Sequence, residues 1–299
     1  MLPRDRPRFV RSLPAYLYSL PALVIVGGFV LLPLVVGVVL SFFQWDGINQ
    51  PVWHGVDAYV SVLTSPALRD TLIHAFILIG FYGLLPISIG LLLASVVRRS
   101  QVRGLSLYRI AIFLPVVVPT VASAVVWRWL YEDAGPINAT LRDVGLNGFA
   151  IQWLGDFTWT LGAVGLVGTW ASFGLCTVLF ISGIQRIPEE LYDAAKVDGA
   201  GAVREFFAVT LPALRGEIAV ALTLTAVVAL RGFDLVYVLT RGGPASTSMV
   251  PGVAIYIMAF ERGQIGNATA LGVCLAVVVA IVVFGLRYVA EGDRDLAYE

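Results

Sequence analysis

Two groups of charged side chains stand out in this mostly apolar chain. The first is the segment 187–212, hereafter the charged segment, which carries five carboxylates: Glu189, Glu190, Asp193, Asp198 and Glu205. Asp and Glu are costly at membrane depth, so we expect this segment to lie in water beside a membrane. The second is a pair, Arg231 and Asp234, inside a long apolar run. Ionisable residues inside such a run indicate a solute or ion site.

The chain lacks the residue patterns that catalysis would need. A phosphate-binding P-loop ends in Gly-Lys-Ser/Thr, but the single lysine, Lys196, follows Ala195. Neither histidine has a second His or a Cys at metal-ligand spacing, and no nucleophile–base or paired-carboxylate arrangement is present. We therefore expect no catalytic residue, no metal site and no cofactor. If ATP drives this protein, a separate ATPase subunit must hydrolyse it.

The charged segment is predicted to begin with a short helix. Pro188 suits the first turn of a helix. Glu189 and Glu190 follow it, next to the positive end of the helix dipole. An apolar face results from three residues at helical spacing: Leu191, Ala194 and Ala195.

A turn and a second helix complete the charged segment. The turn at 198–201 contains two glycines, Gly199 and Gly201, which permit positive φ. A second helix over 202–209 is expected to end at Leu211-Pro212, because proline cannot continue the hydrogen-bond ladder. This helix presents three apolar residues: Val203, Phe206 and Phe207.

The same residues resemble a known motif. Asp193-Ala194-Ala195, followed by Gly199 and then by Leu211-Pro212, resembles the EAA loop of permease subunits in ABC importers, with Asp193 in place of the family's Glu. The flanking sequences PEELY at 188–192 and LTRGGP at 239–244 look like those of the maltose-type carbohydrate permeases. The resemblance covers about residues 72–288, which is most of the chain.

The resemblance implies an all-α polytopic membrane protein with six transmembrane helices and the MetI-like fold of type I ABC importers. It implies a permease subunit for a sugar or sugar derivative in the bacterial inner (plasma) membrane. The charged segment would be a coupling helix seated in a groove of an ATPase. The implied partners are a second homologous permease subunit, an ABC ATPase dimer, an extracytoplasmic solute-binding protein, a sugar-like solute and membrane lipid. No nucleic acid partner is expected, because the formal net charge is zero.

The resemblance also points to two sets of site residues. ATPase coupling is expected at Glu190, Asp193, Ala194, Ala195, Asp198, Gly199, Leu211 and Pro212. The positions that match the family's sugar site are Gly168, Ala171, Ser172 and Leu175 on the fourth span and Thr225, Val228, Ala229 and Gly232 on the fifth. To these we add two aromatic residues that are able to stack on a sugar ring and the two charged residues: Trp170, Phe173, Arg231 and Asp234.

Composition supports a membrane protein independently of any motif. The chain has 299 residues, of which 58% are hydrophobic and 13% charged, whereas soluble domains are about 25% charged. Six apolar runs are long enough to cross a bilayer: 17–42, 72–97, 108–130, 158–181, 216–240 and 267–289. Gly162, Gly165 and Gly168 recur at every third position and predict close helix packing. We expect a tail at 1–16, a first transmembrane helix at 17–42 and a permease domain at 72–290.

Orientation follows from the positions of Lys and Arg. Fourteen of the twenty lie in the first tail, the second-to-third connection, the charged segment with its edges, and the C-terminal tail. Cytoplasmic loops carry the excess of Lys and Arg. Both termini and the charged segment are therefore predicted to be cytoplasmic.

Two other classes of function remain open from the residues alone. In an ion-coupled secondary transporter, Arg231 and Asp234, three residues apart on one helix face, would form the coupling site. The other class is a membrane scaffold without a transport path. Whatever the class, the alternative to a functional role for the pair is a structural ion pair that fixes the fifth and sixth spans.

Overall fold

The computed structural model describes residues 18–99 and 105–295, and for 99, 105–109 and 289–295 it describes the backbone alone. Nearly all regular structure in this part of the chain is helical. The helices are α1 Tyr18–Leu40, α2 Asp57–Thr64, α3 Pro66–Arg98, α4 Leu105–Val117, α5 Thr120–Leu130, α6 Pro136–Asp143, α7 Thr160–Ile184, α8 Glu189–Val197, α9 Ala202–Ala213, α10 Arg215–Leu230, α11 Asp234–Thr240, α12 Pro251–Glu261 and α13 Ile265–Asp295. Strands β1 Phe43–Gln44 and β2 Val52–Trp53 pair antiparallel between α1 and α2. The predicted tail at 1–16 lies outside the described residues.

Four helices are long and apolar enough to cross a membrane by themselves: α1, α3, α7 and α13. The number rises to six if each of two bent helix pairs counts as one span. The last part of α4, Ile110–Val117, meets α5 at 104°, and α9 meets α10 at 70°. The first bend lies at Pro119, whose extended backbone (ψ 136°) directs the chain out of the helix. The prediction of apolar spans is thus confirmed in type, while the number of spans is four, or up to six if each bent pair is one span.

The predicted fifth span is wrong as a single helix. We expected a continuous run over 216–240, but α10 ends at Leu230 and α11 begins at Asp234. The intervening residues Arg231, Gly232 and Phe233 are not helical. Glycine destabilises the interior of a helix, and a charged side chain is costly in lipid. Both effects favour a break at Arg231 and Gly232.

Three helices contain a π-helical turn that ends immediately before a Leu-Pro pair. The turns are Gly27–Leu31 in α1, Gly80–Leu84 in α3 and Phe206–Thr210 in α9. In each case the leucine N–H donates to the carbonyl five residues earlier. The proline that follows has no N–H to donate, so the wider turn lets the helix continue through it. The expectation that Leu211-Pro212 ends the second helix of the charged segment is therefore wrong, because α9 runs on to Ala213.

Helix α7 lies at the centre of the bundle and contributes to two apolar cores. Its first half packs with α3, α5, α10, α11 and α12 around Leu78, Val164, Val167, Val236 and Val253. Its second half packs with α3 and α10, near the charged segment, around Ile87, Cys176, Phe180, Ile184 and Leu214. A third core joins α2, α12 and α13 around Val62, Met258 and Leu271.

Glycines on α7 make room for aromatic rings of α3. A Cβ atom on Gly165 would overlap the ring of Phe81, and one on Gly168 would overlap the ring of Tyr82. The predicted packing role of these two glycines is confirmed, while Gly162 makes only an ordinary contact with Phe81. The neighbours that approach are side chains and not the backbone of α3.

Candidate functional site: the charged segment and a cavity at the helix breaks

The charged segment folds as a helix, a turn and a second helix, as the sequence predicts. Helix α8 begins with Glu189 and Glu190 in its first turn. Gly199 adopts φ +75°, a left-handed conformation that L residues rarely adopt, and it reverses the chain toward α9. No atom lies within 4 Å of the Cβ position of Gly199 or Gly201, so the tip of the turn is open.

The apolar face of α8 is turned away from the rest of the protein. Leu191 and Ala194 are exposed and Ala195 is partly exposed, as a contact of Ala194 and Ala195 with a partner would require. The buried residue of this helix is Tyr192, which has no exposed area. Its hydroxyl forms a hydrogen bond of 3.2 Å with the hydroxyl of Thr210 on α9. The small and apolar residues therefore point away from the bundle, where a partner has access to them.

Arg98, at the end of α3, connects that helix to both helices of the charged segment. Its guanidinium donates to Glu205 Oε1 at 2.9 Å and to Glu189 Oε1 at 3.2 Å. The guanidinium carbon also lies 3.1 Å from the centre of the Tyr192 ring, a cation–π contact. Glu205 is buried with 6% of its surface exposed. A carboxylate in that position is stable because a cation bonds to it.

Most of the residues expected to couple to an ATPase lie on the outer surface of this unit. Glu190, Asp193, Asp198 and Gly199 are exposed. Asp193 accepts a hydrogen bond of 2.9 Å from Lys196, and this bond raises the pKa of Lys196. Four apolar side chains are more than half exposed on the same segment: Leu191, Val197, Val203 and Phe207. Exposed apolar residues among charges are typical of a protein–protein contact.

The two phenylalanines of the charged segment divide between core and surface. Phe206 is partly buried and packs against the core shared by α3, α7 and α10. Phe207 is 60% exposed and meets Phe206 edge-on, with ring centres 5.1 Å apart. Leu211 packs on the same core as Phe206, and Pro212 is exposed. Leu211 therefore anchors α9 on the bundle.

A cavity of about 290 Å³ lies at the break before α5 and the break between α10 and α11, beside the π-helical turn of α3. Its lining includes Tyr82 from the π-helical turn of α3 and Thr120, the first residue after the bend that precedes α5. The non-helical residues between α10 and α11 complete it, with Asp234 at the start of α11. Irregular backbone at membrane depth is tolerated only where it is buried in protein or lines a water-filled cavity. The interruptions are therefore consistent with a polar passage at this point.

A wider cavity of about 590 Å³ lies at the other end of α11. Its lining includes Arg128 after the middle of α5, Gln152 in the loop before α7, and Thr240 and Arg241 at the end of α11. The seven residues of α11 thus connect the two cavities. At 1.5 Å per residue, their length is about 10 Å.

Arg231 and Asp234 do not form the ion pair that their spacing suggested. Arg231 follows the last turn of α10, whereas Asp234 is the first residue of α11, so the two no longer share one helix face. Both are exposed, and neither side chain has an ion-pair or hydrogen-bond partner in the part of the chain that the structure describes. The proposed structural ion pair is therefore wrong, and both charges are free to meet a solute or a partner.

The structure brings four of the twelve predicted path residues to the smaller cavity: Val228, Arg231, Gly232 and Asp234. Thr225 and Ala229 are buried in α10, and the Thr225 hydroxyl donates to the carbonyl of Ala221. Gly168 is buried under the Tyr82 ring. The remaining five lie partly buried along α7: Trp170, Ala171, Ser172, Phe173 and Leu175. Among these, Trp170 meets Trp127 of α5 edge-on at 5.7 Å.

Sequence reasoning missed Tyr82 and Thr120 at the cavity and Arg98 and Tyr192 at the charged segment. Prolines mark the first two, since Tyr82 precedes Pro86 by four residues and Thr120 follows Pro119. Arg98 gave no such signal, because its partners are 91 and 107 positions away in sequence.

Comparison with known proteins identifies the family. The model of the family described as "Binding-protein-dependent transport system inner membrane component" matches residues 86–292. The chain belongs to this family of permeases. Its members are multi-pass components of a membrane. Membership in this family supports neither of the two alternatives, the ion-coupled secondary transporter and the membrane scaffold. The matched region contains α4 to α12, the charged segment and every lining residue named above for the smaller cavity except Tyr82.

Curated relatives agree with this assignment over most of the chain. The probable ABC transporter permease protein YurN of Bacillus subtilis is 33% identical over 94% of this permease and 97% of its own length. The diacetylchitobiose uptake system permease protein NgcF of Streptomyces coelicolor is 32% identical over 85% and 75%. The trehalose/maltose transport system permease protein MalF of Thermococcus litoralis is 29% identical over 92% and 91%.

A solved structure shares the fold of the permease. It is the crystal structure of a bacterial ABC transporter involved in the import of the acidic polysaccharide alginate, which superimposes with a TM-score of 0.80. The match covers 95% of this permease and 96% of that chain, with 23% sequence identity. The MetI-like permease architecture predicted from the sequence is thus confirmed.

Proposed function

We propose that this permease forms the transport path for a sugar or sugar derivative in an ATP-driven importer. Diacetylchitobiose and trehalose or maltose are the solutes named for two of its relatives. The partners in this proposal are a second homologous permease, a dimer of ABC ATPases that hydrolyses the ATP, and an extracytoplasmic solute-binding protein. One structural neighbour is described in complex with a solute-bound periplasmic protein, which supports the last of these.

The observation that carries the proposal is the cavity at the two helix breaks and the π-helical turn of α3. A transport path needs polar groups at membrane depth and backbone that is able to move, and interrupted helices supply both. Arg231 and Asp234 line this cavity, have no partner among residues 18–99 and 105–295, and offer a donor and an acceptor to a polar solute. The wider cavity at the other end of α11 extends the same route toward one end of the bundle. The path residues along α7, including Trp170 and Phe173, are proposed to line the remainder.

The charged segment is proposed to be the contact with the ATPase. Its surface combines charged residues with exposed small and apolar residues, as a docking surface requires. Asp193, Ala194, Ala195 and Gly199 would contact the ATPase directly, and Asp193 would exchange Lys196 for a partner cation. In this arrangement both termini and the charged segment lie in the cytoplasm, as the distribution of Lys and Arg predicts.

The test is uptake by the complete complex. The chain, tagged and purified from detergent-solubilised native membrane, is expected to bring an ATPase and a second permease with it. Proteoliposomes that contain this complex and its binding protein should accumulate at least one of three radiolabelled probes, trehalose, maltose or diacetylchitobiose, when ATP is supplied to the ATPase. Purification of the chain alone, or uptake driven by an ion gradient without ATP, would contradict the proposal.

A further inference from the structure

Tyr82 occupies a position that the helix itself makes unusual. It lies in the π-helical turn Gly80–Leu84, which precedes Leu85 and Pro86. A π-helical turn inserts one extra residue into the helix, and such turns are frequent at functional sites. Here the turn changes the register of α3, so that Tyr82 is presented to α7 and to the break between α10 and α11.

The ring of Tyr82 is fixed from one side. It lies against Gly168 so closely that any side chain at Gly168 would overlap it. Only 2% of the residue is exposed, and it belongs to the core around α7. The Tyr82 ring therefore requires a glycine at 168. This packing explains why a glycine stands at 168, a position that matches the family's sugar site.

The hydroxyl of Tyr82 is unsatisfied within the part of the chain that the structure describes. It is buried, and it forms no hydrogen bond with any of those residues. Leaving a buried hydroxyl unsatisfied is unfavourable, and phenylalanine would fill the same space without that penalty. Core packing alone therefore explains the aromatic ring but not the hydroxyl group.

We propose that the hydroxyl of Tyr82 contacts the transported solute and helps to determine specificity for a hydroxyl-bearing carbohydrate. Tyr82 lines the same cavity as Arg231 and Asp234. Together they present a hydroxyl, a cation and an anion without net charge, a set that matches alternating donors and acceptors on a sugar. In the present conformation the hydroxyl is covered, and movement of the non-helical residues Arg231, Gly232 and Phe233 during transport admits the solute to it.

This inference rests on the proposed function, and one substitution tests it. Tyr82→Phe keeps the ring against Gly168 and removes only the hydroxyl. In the reconstituted complex, the KM for whichever of trehalose, maltose or diacetylchitobiose the wild type accumulates should rise about fivefold, the factor for one neutral hydrogen bond. The maximal uptake rate should stay unchanged. Without solute, the melting temperature of the variant complex should be equal to or higher than that of the wild type.

Tyr131→Phe is the matched control. Tyr131 is also buried, but its hydroxyl donates to the carbonyl of Ala163 at 3.2 Å. This variant should lower the melting temperature, and it therefore marks the result expected when a hydroxyl has a purely structural role. Wild-type uptake with an unaltered KM in Tyr82→Phe would overturn the role of Tyr82 alone, and so would a melting temperature lowered as in the control. An absence of uptake by the wild type would instead contradict the proposed function itself and this inference with it.

Discussion

At the scale of single residues, the two glycines of the charged segment distinguish two reasons for a glycine: an unusual backbone conformation and a lack of space for a side chain. Both Gly199 and Gly201 have open Cβ positions, but only Gly199 has a positive φ, whereas Gly201 is at φ −70°. An L residue in the left-handed region costs about 1 kcal/mol. Conformation, and not crowding within this chain, therefore explains the need for glycine at 199.

We expect Gly199→Asp to leave the complex assembled while ATP-driven uptake falls several-fold, because the side chain and the altered turn disturb the surface offered to the ATPase. Gly201→Asp is the control, since Asp is a favourable residue at the position just before α9 and should support near-normal uptake. Uptake and ATP hydrolysis are measured in the same proteoliposomes. Normal uptake by Gly199→Asp would show that this turn has no part in coupling.

The separation of Arg231 from Asp234 leads to a second prediction. If the two formed a structural ion pair, removing one partner would leave the other buried and unpaired, and the protein would lose stability. Both are exposed and without partners in the described part of the chain, so Arg231→Ala and Asp234→Asn should leave the melting temperature of the complex within about 1 °C of the wild type, as for surface changes of small effect. Uptake should nevertheless fall. A large drop in melting temperature with normal uptake would favour the structural role.

At the scale of elements, Arg98 connects a membrane-spanning helix to the charged segment. The three contacts of its guanidinium join the end of α3 to α8 and α9, so we expect a movement of the charged segment to act on α3. The π-helical turn that presents Tyr82 lies on the same helix. A displacement at the charged segment therefore reaches the proposed solute site through one continuous element.

Loss of this connection should uncouple the complex. Breaking a buried ion pair by removing one partner costs about 3 kcal/mol, so Arg98→Ala should lower the melting temperature and reduce solute taken up per ATP hydrolysed. Arg186→Ala is the control, because Arg186 is mostly exposed and lies 3.6 Å from Glu217. The ratio of uptake to ATP hydrolysis decides the outcome. An unchanged ratio in Arg98→Ala would mean that α3 moves independently of the charged segment.

Interruptions of helices were the features that the sequence predicted least well. Proline was expected to end a helix at Leu211-Pro212, and no break was expected at Arg231. In the structure, a π-helical turn carries α9 through Pro212, while Arg231, Gly232 and Phe233 form a break without proline. The sequence near a proline predicts which backbone hydrogen bond is lost. Whether the helix then forms a π-helical turn or breaks depends on the side chains that pack against that part of the helix.

At the scale of the whole molecule, the type and order of the spans could be predicted. An apolar run of sufficient length forms a helix in a bilayer, because only then are its backbone hydrogen bonds satisfied. The packing of these spans could not, since it depends on contacts between distant positions, as between Tyr82 and Gly168. Helix α1 illustrates the difference. Its length predicts a span, yet none of its most apolar stretch is buried, and it packs beside α13 at the edge of the molecule.

Orientation in the membrane is the property on which both proposed sites depend, because an ATPase is able to reach the charged segment only from the cytoplasm. Lys196 follows α7 and Arg142 precedes it, so these two exposed residues lie at opposite ends of a spanning helix. In a variant with Cys176 and Cys274 replaced by Ser, we expect Arg142→Cys to react with a membrane-impermeant maleimide in intact spheroplasts. Lys196→Cys should react only in inverted vesicles. The reverse pattern would place the charged segment outside the cell, where no ATP-driven partner has access to it.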